Sequence, residues 1–133
     1  MFLFLVTGCT NNLKCTTTNV VNGSFSNSED LTIIVKKSGI DSIVRKVSIT
    51  YTDSYLKDYG VTIDELKNME EENYKNNYKD GEYEITKKNN SIIIKTTCNE
   101  KCVKSNEELL GKDINTIKTS IKDGKLGSIY ICK

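Results

Sequence analysis

Five cysteines, at positions 9, 15, 98, 102 and 132, limit what this 133-residue chain can fold into. An odd count in an exported protein leaves one thiol for a separate role. With Cys9 set aside, four remain and allow three pairings. Cys98 with Cys102 would close a small loop through Asn99, Glu100 and Lys101. Cys15 with Cys132 would tie the start of the domain to its last turn. A crosslink across nearly the whole chain restricts the unfolded ensemble most, and this arrangement is the favoured one. Joining Cys15 to Cys98 or Cys102 would instead set the middle of the chain beside its start. The spacings do not repeat as two C-x2-C knuckles, so no zinc site is expected.

Cys9 closes the stretch Leu5-Val6-Thr7-Gly8-Cys9, which resembles a bacterial lipobox. Val6 is the apolar residue three before the cysteine, and Thr7 and Gly8 are small. A lipobox cysteine is where a signal is cut and a diacylglyceryl group attached. The expected layout is a signal peptide over 1–8, a lipidated tether over 9–14 and a single domain over 15–133. A signal core needs roughly 7–15 apolar residues behind a basic segment. The run from Met1 to Val6 is shorter and has no Lys or Arg before it, so its front is expected to be truncated. A buried strand is the competing reading of Met1 to Val6, because periodicity does not separate the two. The expected location is the extracellular face of the cell membrane, with the lipid as anchor.

The chain has the size of one domain. Its 37% apolar and 28% charged residues suit a globular fold. A net charge of +1 offers nothing to nucleic acid. No stretch after Cys9 is long enough to span a bilayer. Histidine is absent, which removes Ser-His and Cys-His nucleophile pairs and the commonest metal ligand. No metal, cofactor or catalytic residue is expected. Lysine is frequent, whereas arginine occurs once, at Arg45.

Hydrophobic periodicity sets the elements. Residues 13–25 read as a first strand, folded at Asn22-Gly23, with Ser26 to Asp30 as a polar turn. Leu31, Ile33 and Val35 share one face of a strand, as do Val47, Ile49 and Tyr51 in a strand over 42–52. Asp53 is expected to cap a short helical turn. Thr62-Ile63-Asp64-Glu65 is a capping box, with Val61 and Leu66 as its hydrophobic staple. Its helix should run to about Lys79 with Leu66, Met69, Asn73 or Tyr74, and Tyr78 inward. Two strands follow, joined at Asn89-Asn90 and ending at Cys98. Cys98 to Cys102 reads as a tight bend, and Ser105 to Glu108 as a second capping box opening a short turn. Asp113 caps another helix, with Ile114, Ile117 and Ile121 on one face. Ser128 to Cys132 closes the chain as a strand. The order is not a βαβ alternation. It predicts an α+β fold, an antiparallel sheet of about six strands with two main helices packed on one face.

The lipobox at Cys9, the Leu-Lys-Cys-Thr opening at 13–16 and the Tyr-Ile-Cys-Lys ending at 130–133 resemble a family of small Gram-positive lipoproteins. In overall plan the chain is similar to YehR-like lipoproteins. The resemblance spans the whole mature chain and implies paired terminal cysteines, matching Cys15 and Cys132. It implies no catalytic residues, and it does not anticipate Cys98 and Cys102.

Three groups of residues could carry chemistry. Glu70, Glu71 and Glu72 fan out by about 100° each on a helix and cannot converge on one ion, so they read as a solvated face. Tyr51, Tyr55, Tyr59, Tyr74 and Tyr78 could form a ledge for a sugar or peptide, since tyrosine joins an apolar body to a polar tip. Packing between helix and sheet is the simpler reading of the same residues. Cys98 and Cys102 could be redox-active, although exchange motifs are usually C-x2-C at a helix start. The expected function is a monomeric, non-catalytic binding or structural domain. It would contact the membrane through its anchor and meet an envelope or extracellular ligand. A cell-surface thiol–disulfide protein using Cys98 and Cys102 is the alternative.

Overall fold

The computed structural model describes residues 10–17, 20–21, 23–127 and 130–133. The lipobox-like stretch ending at Cys9 lies outside the described residues, as do Asn22, Ser128 and Ile129. The described chain is α+β. Its strands are β1 (Thr10–Thr17), β2 (Val20–Val21), β3 (Phe25–Lys36), β4 (Gly39–Tyr51), β5 (Gly81–Lys88), β6 (Ser91–Cys98) and β7 (Tyr130–Cys132). Its helices are α1 (Asp53–Tyr59), α2 (Ile63–Asn77), α3 (Glu100–Leu110) and α4 (Ile114–Lys122). Six strands lie in the order β5-β6-β4-β3-β1-β7, all antiparallel, with the short β2 paired to β3.

Alternation builds the sheet. Leu31, Ile33 and Val35 of β3 are buried, and Ile43 and Ile40 of β4, the partners of Ile33 and Val35, are buried beside them. A register shift at Ile34 and Val35 keeps both strands' apolar residues together past an irregular pair. On the other side of β3, Leu13 and Cys15 of β1 pair with Ile33 and Leu31. β1 runs from Thr10, so residues 10–14, expected as a tether, are part of the sheet.

The polar stretch Ser26 to Asp30 is strand rather than turn. It pairs residue for residue with Thr50 to Lys46 of β4. Polar side chains do not prevent pairing where a long neighbouring strand supplies the ladder.

Four helices form where two main ones were expected. Thr52, rather than Asp53, caps α1, its Oγ1 accepting the Tyr55 amide at 3.0 Å. Thr62 caps α2 as its box predicts, accepting the Glu65 amide at 3.1 Å. No residue of α2 is fully buried: Ile63, Leu66, Lys67, Glu70, Glu71 and Tyr74 are half-buried, whereas Met69 is 65% exposed. The expected bend at Cys98 to Cys102 is the start of α3. Asn99 is its cap, its Oδ1 accepting the Cys102 amide at 2.9 Å. The second predicted box therefore falls inside a helix already begun. Asp113 caps α4.

The core gathers Leu13, Leu31, Ile33, Val35, Ile40 and Ile43 from the sheet with Leu110, Ile117 and Ile121 from α3 and α4. Each fully buried Leu or Ile contributes about 1.5–3 kcal/mol. Glu107 of α3 accepts the Ile40 amide at 3.1 Å and fastens that helix to the β3–β4 turn. A Cβ on Gly39 would collide with the Glu107 carboxylate, and φ there is +128°, so this turn needs glycine.

Candidate functional site

A cleft opens between the sheet and the helices. Its inner part has a volume of about 230 Å³ and an apolar floor of Leu31, Ile33, Ile43, Leu110 and Leu126. An outer part of about 310 Å³ is polar and aromatic, lined by Asn73, Tyr74, Asn77 and Tyr78 with Val47. Arg45, Tyr78, Asp80 and Thr96 line both parts.

Strand register places the central group. Arg45 of β4 stands between Leu31 of β3 and Thr96 of β6. Glu29 lies one alternation along β3, opposite Val47. The Arg45 Nε and Nη2 meet the two Glu29 carboxylate oxygens at 2.8 and 2.9 Å, a bidentate pair. The buried Tyr130 donates its hydroxyl to the same carboxylate. Glu29 is 13% exposed and Arg45 51% exposed. The hydrogen bond to Glu29 raises the guanidinium pKa further above its usual value, and burial opposes it. Two of five guanidinium N–H groups are so engaged, leaving an edge of donors on the cleft.

The walls are tied together by their turns. The Asn99 amide donates to the Asp80 carbonyl at 2.7 Å, joining the end of α2's loop to the start of α3. Cys98 and Cys102 sit at disulfide distance on the inner wall. Asn106, one turn along α3, donates to the Cys102 carbonyl at 2.9 Å and lies 3.5 Å from its sulfur.

The five tyrosines expected as one ledge form two groups. Tyr51, Tyr55 and Tyr59 run on from Phe25, with successive centroids 6.1, 5.1 and 4.6 Å apart. Tyr74 and Tyr78 pack with Tyr83, at 5.5 and 6.1 Å from its ring. Only this second group reaches the cleft. Glu70 is half-buried rather than solvated. Burial raises the phenol pKa values of Tyr51 and Tyr74, and the Glu70 charge raises both further.

Cys15 and Cys132, the second cysteine pair at disulfide distance, line neither part of the cleft, and their Cα atoms are 4.0 Å apart. They are directly opposed on β1 and β7. The Lys133 amide bonds the Lys14 carbonyl, so this is a non-hydrogen-bonded pair, the position where antiparallel Cα atoms come closest. Cys9 lies outside the described residues.

Sequence reading missed Glu29, Tyr130, Asp80, Asn106 and Tyr83. The one usable signal was the single arginine in a lysine-rich chain, because only a guanidinium makes a bidentate carboxylate pair. Among the described residues no helix is long and apolar enough to cross a membrane. Comparison of the chain with protein-family models, with curated proteins and with solved structures gave no match.

Proposed function

We propose that this chain is the non-catalytic ligand-binding domain of a small surface lipoprotein, similar in plan to YehR-like lipoproteins. Lipid on Cys9 would hold it on the extracellular face of the membrane. The motif at residues 5–9 supports the anchor. Two cysteine pairs at disulfide distance suit an oxidising compartment. Because β1 begins at Thr10, the sheet would start at the residue after the anchored one.

On this reading the helices share one face of the sheet. Register supports it, since Leu31, Ile43, Arg45 and Thr96, which line the cleft, have one alternation phase. Thr32, Val44, Lys46, Ile93 and Lys95 have the other phase and line a separate open hollow.

The observation that carries the binding role is the composition of the two-part cleft. Its outer part offers carboxamides, one carboxylate, one guanidinium edge and two phenol rings, and its inner part an apolar floor. That set pairs hydrogen bonds in both directions with a stacking surface, which suits an uncharged saccharide of the envelope better than an ion. Titrating the isotope-labelled full chain with soluble envelope oligosaccharides tests it. Amide shifts should cluster at Tyr78, Asp80, Thr96 and Asn106. Asn77→Ala, at an exposed position, should weaken binding about tenfold, the loss of roughly 1.4 kcal/mol. Shifts confined to other surfaces would reject the cleft. In a competent Gram-positive host, Cys9→Ala should abolish incorporation of labelled fatty acid. A wild type that takes up none would reject the anchor.

One observation favours a second reading, a thiol–disulfide protein. Cys102 occupies the first turn of α3, where the helix N-terminus favours a thiolate, and Cys98 lies just before the cap. A reduction potential for this pair below about −300 mV would mark it as structural.

A further inference from the structure

β5 ends the sheet, and its outer edge carries main-chain groups that no described strand takes up. The two-residue turn Asn89-Asn90, with Asn89 at φ 55°, joins the paired Lys88 and Ser91. Such a turn makes its flanking residues a hydrogen-bonded pair, and alternation then directs the amides and carbonyls of Glu82, Glu84 and Thr86 to β6. Those of Tyr83, Ile85 and Lys87 point away from the sheet. The 2.7 Å bond from the Asn99 amide to the Asp80 carbonyl, beyond the other end of the hairpin, has the same phase.

α2 packs on the face of β5 through side chains, with Tyr74 and Tyr78 against Tyr83 and Asp64 paired to Lys87. Among the described residues no turn, loop or cap bonds the outward main-chain groups of Tyr83, Ile85 or Lys87, so the edge itself is left open. Charged residues usually protect such an edge from pairing, but their placement here is self-complementary.

We infer that the β5 edge pairs antiparallel with the β5 edge of a second copy of this chain, in place of the monomer expected from sequence. A two-fold axis normal to the sheet through Ile85 sets Ile85 against the partner's Ile85 and Tyr83 against the partner's Lys87. These are the residues whose groups point outward, so the junction makes about six main-chain hydrogen bonds. The non-hydrogen-bonded positions, where side chains are closest, set Glu84 against the partner's Thr86 and, at the two ends of the junction, Glu82 against the partner's Lys88. Among the described residues neither Glu82 nor Lys88 is in an ion pair within the chain. Sliding the register two residues one way opposes Glu84 to the partner's Glu84. Sliding it the other way sets Tyr83 against the turn and loses hydrogen bonds.

Sedimentation equilibrium of the full chain tests the junction. The wild type should dimerise below about 1 mM, the limit of a weak complex. Glu82→Lys opposes lysine to the partner's Lys88, and Lys88→Glu opposes glutamate to the partner's Glu82. Each should raise the dissociation constant about tenfold, because like charges directly opposed repel. An equimolar mixture of the two variants restores both ion pairs in the heterodimer and should return to within about threefold of wild type. Misfolding of either variant would not produce that rescue. A wild type monomeric to about 1 mM, a dimer indifferent to Glu82→Lys, or a mixture without rescue would each overturn the junction.

Discussion

Asp113 joins one carboxylate to three donors at the start of α4. Its Oδ1 accepts the amides of Asn115 and Thr116 at 3.1 Å each, and Oδ2 accepts the Thr116 hydroxyl at 2.6 Å. Those bonds favour the charged form, with the Thr116 side chain the largest influence, and hold the Asp113 pKa below the usual carboxylate value. A folded-state pKa below the unfolded one contributes stability at higher pH. It is present above the unfolded value, near 4, and lost as pH falls through the folded one. Asp113→Asn keeps an accepting oxygen for the amides and removes the titration. The urea midpoint of wild type should therefore drop more steeply than that of Asp113→Asn as pH falls below about 4. Parallel curves would remove this residue from the acid response. Asp113 was legible because a cap depends on residues two and three places away. Arg45 was visible as an oddity, but its partner Glu29 was not, because the stretch holding Glu29 reads as a turn.

At the scale of elements, local signals decided where they were strong. The cap half of the α2 box is present as read, whereas the Glu65 carboxylate accepts from the Thr62 hydroxyl at 3.2 Å in place of the Thr62 amide. Thr62→Ala should cost about 0.5–2 kcal/mol, read as a lower denaturant midpoint at unchanged slope. A midpoint within error of wild type would mean that packing, not the cap, holds the helix start. α3 shows where local reading stops. Asn99 is a good cap residue, but the flanking cysteines suggested a tight loop. In the fold, the Asn99 amide and side chain meet the Asp80 and Lys79 carbonyls, which orients the cap. Those partners are about twenty residues away, beyond any periodicity window. Likewise Ser26 to Asp30 became strand because β4 extends past it.

For the whole molecule, the pairing of β7 with β1 closes the architecture. It brings Cys132 to Cys15 across a separation of 117 residues. Peptide mapping of oxidised protein should find those two cysteines in one linked fragment and Cys98 with Cys102 in another. Replacing both Cys15 and Cys132 by serine should destabilise the fold by roughly 2–5 kcal/mol, seen in denaturant unfolding. A fragment joining Cys15 to Cys98 would contradict the strand order. Alternation, caps and turn residues in the sequence alone determined the α+β class, the two hairpins and the starts of α2 and α4, since each rests on contacts a few residues apart. Cysteine count and placement also narrowed the connectivity before any strand was paired. Only the tertiary structure decided the strand order and the extension of β3 through a polar stretch. It also decided the division of the tyrosines between two sites and the cleft around Arg45 and Glu29. Those features depend on contacts between distant segments, and in the strands on pairing register, where a one-residue slip would have turned Glu29, Arg45 and Tyr51 to the opposite face.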